Sequence, residues 1–174
     1  MSRSLLAVIA LGLTLALSAC ETQDPEETEA KAAKAPLPEL KAPSAPDDKQ
    51  WQPYLQQVIG RNQAGVTDRT MAYYLPMESD TSSPEDTDGK TKWERQAENV
   101  NTVIQRTVLP GNLLAFGSPN STRMADLIVA SFAGGAPDAL KGSQVLFVGN
   151  AADSARVQAA VESVGGKYIF VEAK

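Results

Sequence analysis

The side chains that could do chemistry in this chain are few, and their first consequence is exclusion. Among 174 residues there is no histidine and a single cysteine, Cys20. A Ser-His-Asp or Cys-His constellation cannot be assembled from such a chain, nor can a histidine metal site. No Gly-x-Ser-x-Gly elbow, Walker loop or Gly-x-Gly-x-x-Gly turn occurs. Three segments remain: the hydroxyl-rich turn Gly117-Ser118-Pro119-Asn120-Ser121-Thr122, a second turn Gly149-Asn150-Ala151-Ala152-Asp153, and an acidic loop over residues 77–90. Hydroxyls and free N–H groups at a helix start suit a small anion, which makes Ser118, Asn120, Ser121, Thr122 and Asn150 the candidate ligand-binding residues. The same residue types serve ordinary helix capping, and a carboxylate at Asp153 would oppose a phosphate. In the acidic loop, Glu78, Asp80, Glu85, Asp86 and Asp88 could gather around Ca²⁺. However, Asp86-Thr87-Asp88-Gly89 lacks the preceding ligand and the closing glutamate of an EF-hand. Neither a metal nor a cofactor is expected. A carboxylate pair for glycoside hydrolysis would have to come from this loop, where no apolar setting raises a carboxyl pKa. Trp51, Trp93, Tyr73 and Tyr74 have rings that can stack on sugars, yet all four fall at core-facing spacing.

The elements that would position these turns are readable from periodicity. Trp51, Tyr54, Leu55, Val58 and Ile59 recur at helical spacing, with Pro53 expected in the first turn, where its missing N–H costs nothing. Arg69 to Pro76 contains Met71-Ala72-Tyr73-Tyr74-Leu75, a strand closed by proline. Lys92 to Thr107 places Trp93, Ala97, Val100 and Ile104 on one face of a helix stopped by Pro110-Gly111. After it, one unit repeats: Leu113-Leu114-Ala115-Phe116 and a helix from Met124 to Phe132, then Val145-Leu146-Phe147-Val148 and a helix from Val157 to Val164. Tyr168-Ile169-Phe170-Val171 closes the series. Continuous apolar runs between helices mark strands buried on both faces, joined by right-handed crossovers. The expected fold is α/β: a small three-layer domain with a roughly four-stranded, mainly parallel sheet over residues 49–174. Helix starts are expected at Ser118, with Pro119 at the first helical position, and at Asn150, with Asp153 three residues on. In open parallel sheets ligands bind beyond the carboxyl ends of the strands where the chain order reverses, which is where the two turns and the acidic loop converge.

The N-terminal 48 residues have another character. Arg3 precedes an apolar run from Leu5 to Leu17 that is too short for a comfortable bilayer crossing and reads as an export signal over residues 1–19. Leu17-Ser18-Ala19-Cys20 resembles the lipobox of bacterial lipoproteins. That resemblance implies cleavage before Cys20, a diacylglycerol on its thiol and acylation of the new amino terminus. One acyl chain holds a protein to a bilayer only marginally and two or more hold it stably. Glu21 after the cysteine, rather than aspartate, implies sorting to the outer membrane. Residues 20–48 carry prolines at 25, 36, 38, 43 and 46 and almost no large apolar side chains, and so read as a disordered tether. Its eight acidic residues against three lysines account for the net charge of −5, leaving the domain nearly neutral. A chain without a basic patch is not a nucleic-acid binder. The acidic loop, long and polar, reads as disordered as well.

A second, shorter likeness lies in Leu140-Lys141-Gly142-Ser143-Gln144-Val145-Leu146-Phe147-Val148-Gly149, which resembles the central strand of flavodoxin-like proteins. It implies a related fold; the flavin-phosphate loop of that family is not matched by Leu75-Pro76-Met77-Glu78, so no flavin is implied. Together these features lead to the expectation of a non-enzymatic lipoprotein of the bacterial outer membrane, facing the periplasm. Its partners would be the bilayer, through acylated Cys20, and an envelope or secreted protein. It would act as an accessory subunit of an envelope machine or as an immunity-type inhibitor. The competing expectation is a small-ligand or anion-binding module, or a degenerate enzyme, working through the strand-end turns.

Overall fold

The computed structural model describes residues 38–85 and 87–174. The signal segment, Cys20 and the tether up to Leu37 lie outside them. The elements run α1 (Asp48–Arg61), β1 (Thr70–Tyr74), α2 (Lys92–Gln105), β2 (Leu113–Gly117), α3 (Ser121–Phe132), β3 (Gln144–Gly149), α4 (Ala151–Ser163) and β4 (Lys167–Glu172). All four strands are parallel and pair in chain order, β1-β2-β3-β4.

Alternation within each strand divides the core in two. Leu114 and Phe116 of β2, Val145 and Phe147 of β3, and Tyr73 of β1 point to one face, where α2, α3 and α4 cover them. Leu113, Ala115, Leu146 and Val148 point to the other, where α1 lays down Trp51, Tyr54, Leu55, Val58 and Ile59. The result is a three-layer α/β domain, and β2 and β3 are buried on both faces as their unbroken apolar runs require. Each large side chain withdrawn from water contributes roughly 1.5–3 kcal/mol. Because the strand order never reverses, crossovers of one hand must all lie on one side of the sheet, which leaves α1 to close the other. A flavodoxin-like sheet has its first two strands exchanged, so the likeness in residues 140–149 stops at the level of a buried strand. The expected point of reversal does not exist either.

Three further expectations are corrected. Residues 38–47, assigned by composition to the tether, belong to the compact unit Pro38–Lys174. Leu40 and Ala42 pack against the α1-side core, the Ala42 amide donates to the Lys174 carbonyl at 2.5 Å, and the Trp51 indole N–H donates to the Ala45 carbonyl at 3.1 Å. Prolines here suit an extended strap laid on a folded surface as well as a free chain. Second, α1 begins at Asp48, capped by Asp47, so Pro53 falls in the second turn; the Lys49 carbonyl loses its donor there and is left to solvent on an exposed face. Third, the acidic loop is pinned rather than loose. Its Ser79 and Thr81 carbonyls accept from the Trp93 and Lys92 amides at 2.9 and 3.0 Å, Asp80 pairs with Arg123, Asp88 with Arg95, and Lys90 with Glu98.

Two glycines set how closely the layers approach. A Cβ on Gly117 would stand 2.8 Å from Leu55 Cδ1, so its absence lets α1 lie directly on the end of β2. A Cβ on Gly149 would stand 2.6 Å from Ser121 Oγ and 2.5 Å from Phe147 Cζ, so glycine there lets the start of α3 reach the end of β3. That contact builds the site.

Candidate functional site

The hydroxyl-rich turn and the second turn do meet, at the carboxyl ends of β2 and β3. Ser118 is buried, and its Oγ accepts from the Asn120 amide at 3.0 Å, folding the turn back on itself. Asn120, not Ser118, is the cap of α3: its Oδ1 accepts from the Arg123 amide at 3.1 Å, and Pro119 precedes the helix instead of opening it. Ser121 sits at the junction. It accepts from the Asn150 amide at 2.8 Å and donates to Asp153 Oδ2 at 2.7 Å, and Thr122 Oγ1 donates to the same oxygen at 3.3 Å. Asn150 precedes α4, but its exposed side chain makes no capping bond, so only its backbone joins the cluster.

Asp153 is the centre of this arrangement and is almost wholly buried. Its second oxygen accepts from Arg156 Nε at 3.2 Å and Nη2 at 2.8 Å. Burial pushes its carboxyl up, but the hydrogen bonds from Ser121 and Arg156, the Arg156 charge and the Thr122 hydroxyl together outweigh burial and hold it below the usual aspartate value. From Arg156 the network continues to Asp126 Oδ1 at 2.5 Å and to the Thr122 carbonyl at 3.0 Å. Asp126 also lies 3.8 Å from Arg123, which pairs with Asp80 of the acidic loop and lies 4.7 Å over the Trp93 ring. One chain of alternating charges thus ties the loop to α3 and α4.

The chemistry this permits is narrow. An external anion at the α3 start would need the hydroxyls and the positive helix end that Asp153 already engages, and it would meet a carboxylate of its own sign. Ser121 gives its proton to a carboxylate whose pKa is depressed, whereas an effective general base has a pKa near the working pH. Of the five residues expected to bind a ligand, Ser118, Asn120, Ser121 and Thr122 are brought together, and each is committed to an internal hydrogen bond. The residues that organise the site, Asp153, Arg156, Asp126 and Arg123, were not among them. Their only sequence signal is the spacing of Arg123–Asp126 and Asp153–Arg156, each three apart on a helix face.

Among the described residues no group of acidic or cysteine side chains is placed to hold a metal, and no helix is long and apolar enough to cross a membrane. No protein-family model, curated protein or solved structure matches the chain.

Proposed function

We propose that this chain is a bacterial lipoprotein, anchored through acylated Cys20 in the outer membrane on its periplasmic side. Its α/β domain works by binding another envelope or secreted protein, as an accessory subunit of an envelope machine or as an immunity-type inhibitor. The Leu17-Ser18-Ala19-Cys20 pattern and the acidic, proline-rich segment behind it support the anchor and the spacer. The observation that carries the binding role is the closure of the strand-end turns: the hydroxyls best suited to a small ligand are taken by the buried Asp153 carboxylate. A domain whose Ser121 and Thr122 hydroxyls are spent on its own carboxylate acts through its surface.

The test is a thermal-shift screen of the soluble 38–174 fragment against inorganic anions, nucleotides and sugars. No ligand should raise its melting temperature. A saturable rise that Ser121→Ala removes would overturn the reading in favour of a small-ligand module.

A further inference from the structure

The sheet has two edge strands, β1 and β4, and the outer edge of β1 is the one that borders an apolar cleft. The Arg69 carbonyl accepts from the Leu113 amide at 3.0 Å and the Leu75 amide donates to the Gly117 carbonyl at 3.2 Å. The alternation of a parallel ladder therefore turns the main chain of residues 69, 71, 73 and 75 toward β2 and that of Thr70, Ala72 and Tyr74 outward. Nothing among the described residues pairs with that outer edge; β1 has β2 as its single neighbour. Thr70 and Ala72 are exposed, and Thr70–Tyr74 carries none of the charges or prolines by which free edges are usually blunted.

Beside this edge, on the α2 side, lies an open cleft of about 280 Å³ walled by Met71, Val103, Val108 and Leu109. Leu109 is 69 % exposed, the most exposed large apolar side chain among the described residues. It follows Thr107, whose positive φ of 62° is the only one at a described residue other than glycine and marks a strained turn out of α2. Asn112 also lines the cleft. Its Nδ2 donates to Asp68 Oδ2 at 3.0 Å and to the Leu109 carbonyl at 2.7 Å, which fixes the amide orientation and leaves Oδ1 buried without a donor. A buried acceptor without a partner costs free energy until something donates to it. The rim is cationic. Arg106 has no acidic partner among the described residues, Arg69 is largely exposed with only Asp68 at 4.0 Å, and Asp68 is shared with Asn112.

We propose that this cleft and the β1 edge form the docking site for an extended acidic segment of a partner protein. This inference rests on the protein-binding reading above and names its surface. The segment adds as a strand to the outward N–H and C=O groups of Thr70, Ala72 and Tyr74. It seats an apolar side chain between Met71, Val103 and Leu109, and it offers carboxylates to Arg69 and Arg106. The carboxylates and the apolar side chain must stand two residues apart, because alternate side chains of a strand share a face and both arginines line the same cleft as Met71. Charge complementarity at Arg69 and Arg106 makes this rim selective among peptides.

The test uses the purified lipidated chain in detergent and a fluorescein-labelled heptapeptide Ser-Glu-Thr-Val-Thr-Glu-Ser, whose glutamates and valine share one face of a strand, with the same peptide carrying lysine for glutamate as control. The acidic peptide should bind saturably and about tenfold or more tightly than the basic one. Arg106→Glu, at an exposed position without an acidic partner among the described residues, should reverse that preference, and bound acidic peptide should slow amide exchange at Thr70 and Ala72. Equal binding of both peptides, absence of binding, an unchanged preference in Arg106→Glu, or unprotected Thr70 and Ala72 amides would overturn the proposal. Dimerisation of the chain that Arg106→Glu blocks, without peptide binding, would assign the edge to a second copy and also overturn it. Failure here with a specific partner still cross-linked in cells removes this surface only; absence of any partner removes the protein-binding reading itself.

Discussion

Removing the Asp153 carboxylate should expose how the strand-end site is held. In Asp153→Ala the Ser121 hydroxyl loses its acceptor at 2.7 Å and Arg156 loses two bonds at 2.8 and 3.2 Å. Hydrogen bonds to a charged group contribute about 1.5–3 kcal/mol each in isolation, but these share one carboxylate and do not add. Arg156 keeps Asp126, and its side chain is 36 % exposed, so solvent screens part of the loss. We expect a destabilisation of about 2–3 kcal/mol for Asp153→Ala and about 1 kcal/mol for Asp153→Asn, which keeps an acceptor for Ser121. Urea denaturation of residues 38–174 measures both. The pH dependence has a definite sign. The folded carboxyl lies below its ordinary value of 3.8, so its contribution is complete above the unfolded value and is lost as pH falls through the lower folded one. The gap between wild type and Asp153→Asn should be constant near neutrality and shrink below about pH 4. Sulfate should also stabilise Asp153→Ala more than the wild type, because the freed Ser121, Thr122 and Arg156 groups add an anion site to the general stabilisation by sulfate. A destabilisation under about 0.5 kcal/mol, or a gap that widens in acid, would refute this account of the site.

A fragment beginning at Lys49 loses Leu40, Ala42 and the Asp47 cap and should be about 2–4 kcal/mol less stable than one beginning at Pro38 by urea denaturation. Gly117→Ala brings a methyl to 2.8 Å from the buried Leu55 Cδ1 and should lower stability by about 1–3 kcal/mol in the same assay. Arg123→Ala removes the Asp80 pair and the contact over Trp93, so limited proteolysis should cut the 77–90 loop sooner while global stability falls by only about 1 kcal/mol. Cys20→Ser should move the protein from the membrane to the soluble fraction with its unfolding midpoint unchanged, as fractionation and denaturation will report.

What could be read in the sequence was whatever is local. The runs at 113–116 and 145–148 declared strands buried on both faces, and the spacing of Trp51 to Ile59 declared the face that α1 buries; both hold in the structure. What escaped were pairings between elements. Asp80 meets Arg123 across 43 residues and Ser121 meets Asp153 across 32, and no periodicity links such positions. The acidic loop looked disordered because the cations that neutralise it lie in α2 and α3. Residues 38–47 looked like tether because proline-rich composition does not distinguish a free chain from one strapped to a surface. The strand order was not legible either, since identical strand–helix units serve a sheet that reverses and one that does not. The spacing marks Asp153 as part of a helix start and as a carboxylate that would oppose a phosphate, but nothing local shows that it accepts from Ser121 and Thr122.

Chemical cross-linking in living cells is the most direct measurement of the central claim that the anchored domain works by protein contact rather than by ligand chemistry. The account predicts capture of one specific envelope or secreted partner, undiminished by Ser118→Ala and Ser121→Ala. Failure to capture any partner, or its loss on those two substitutions while the domain stays folded, would contradict it.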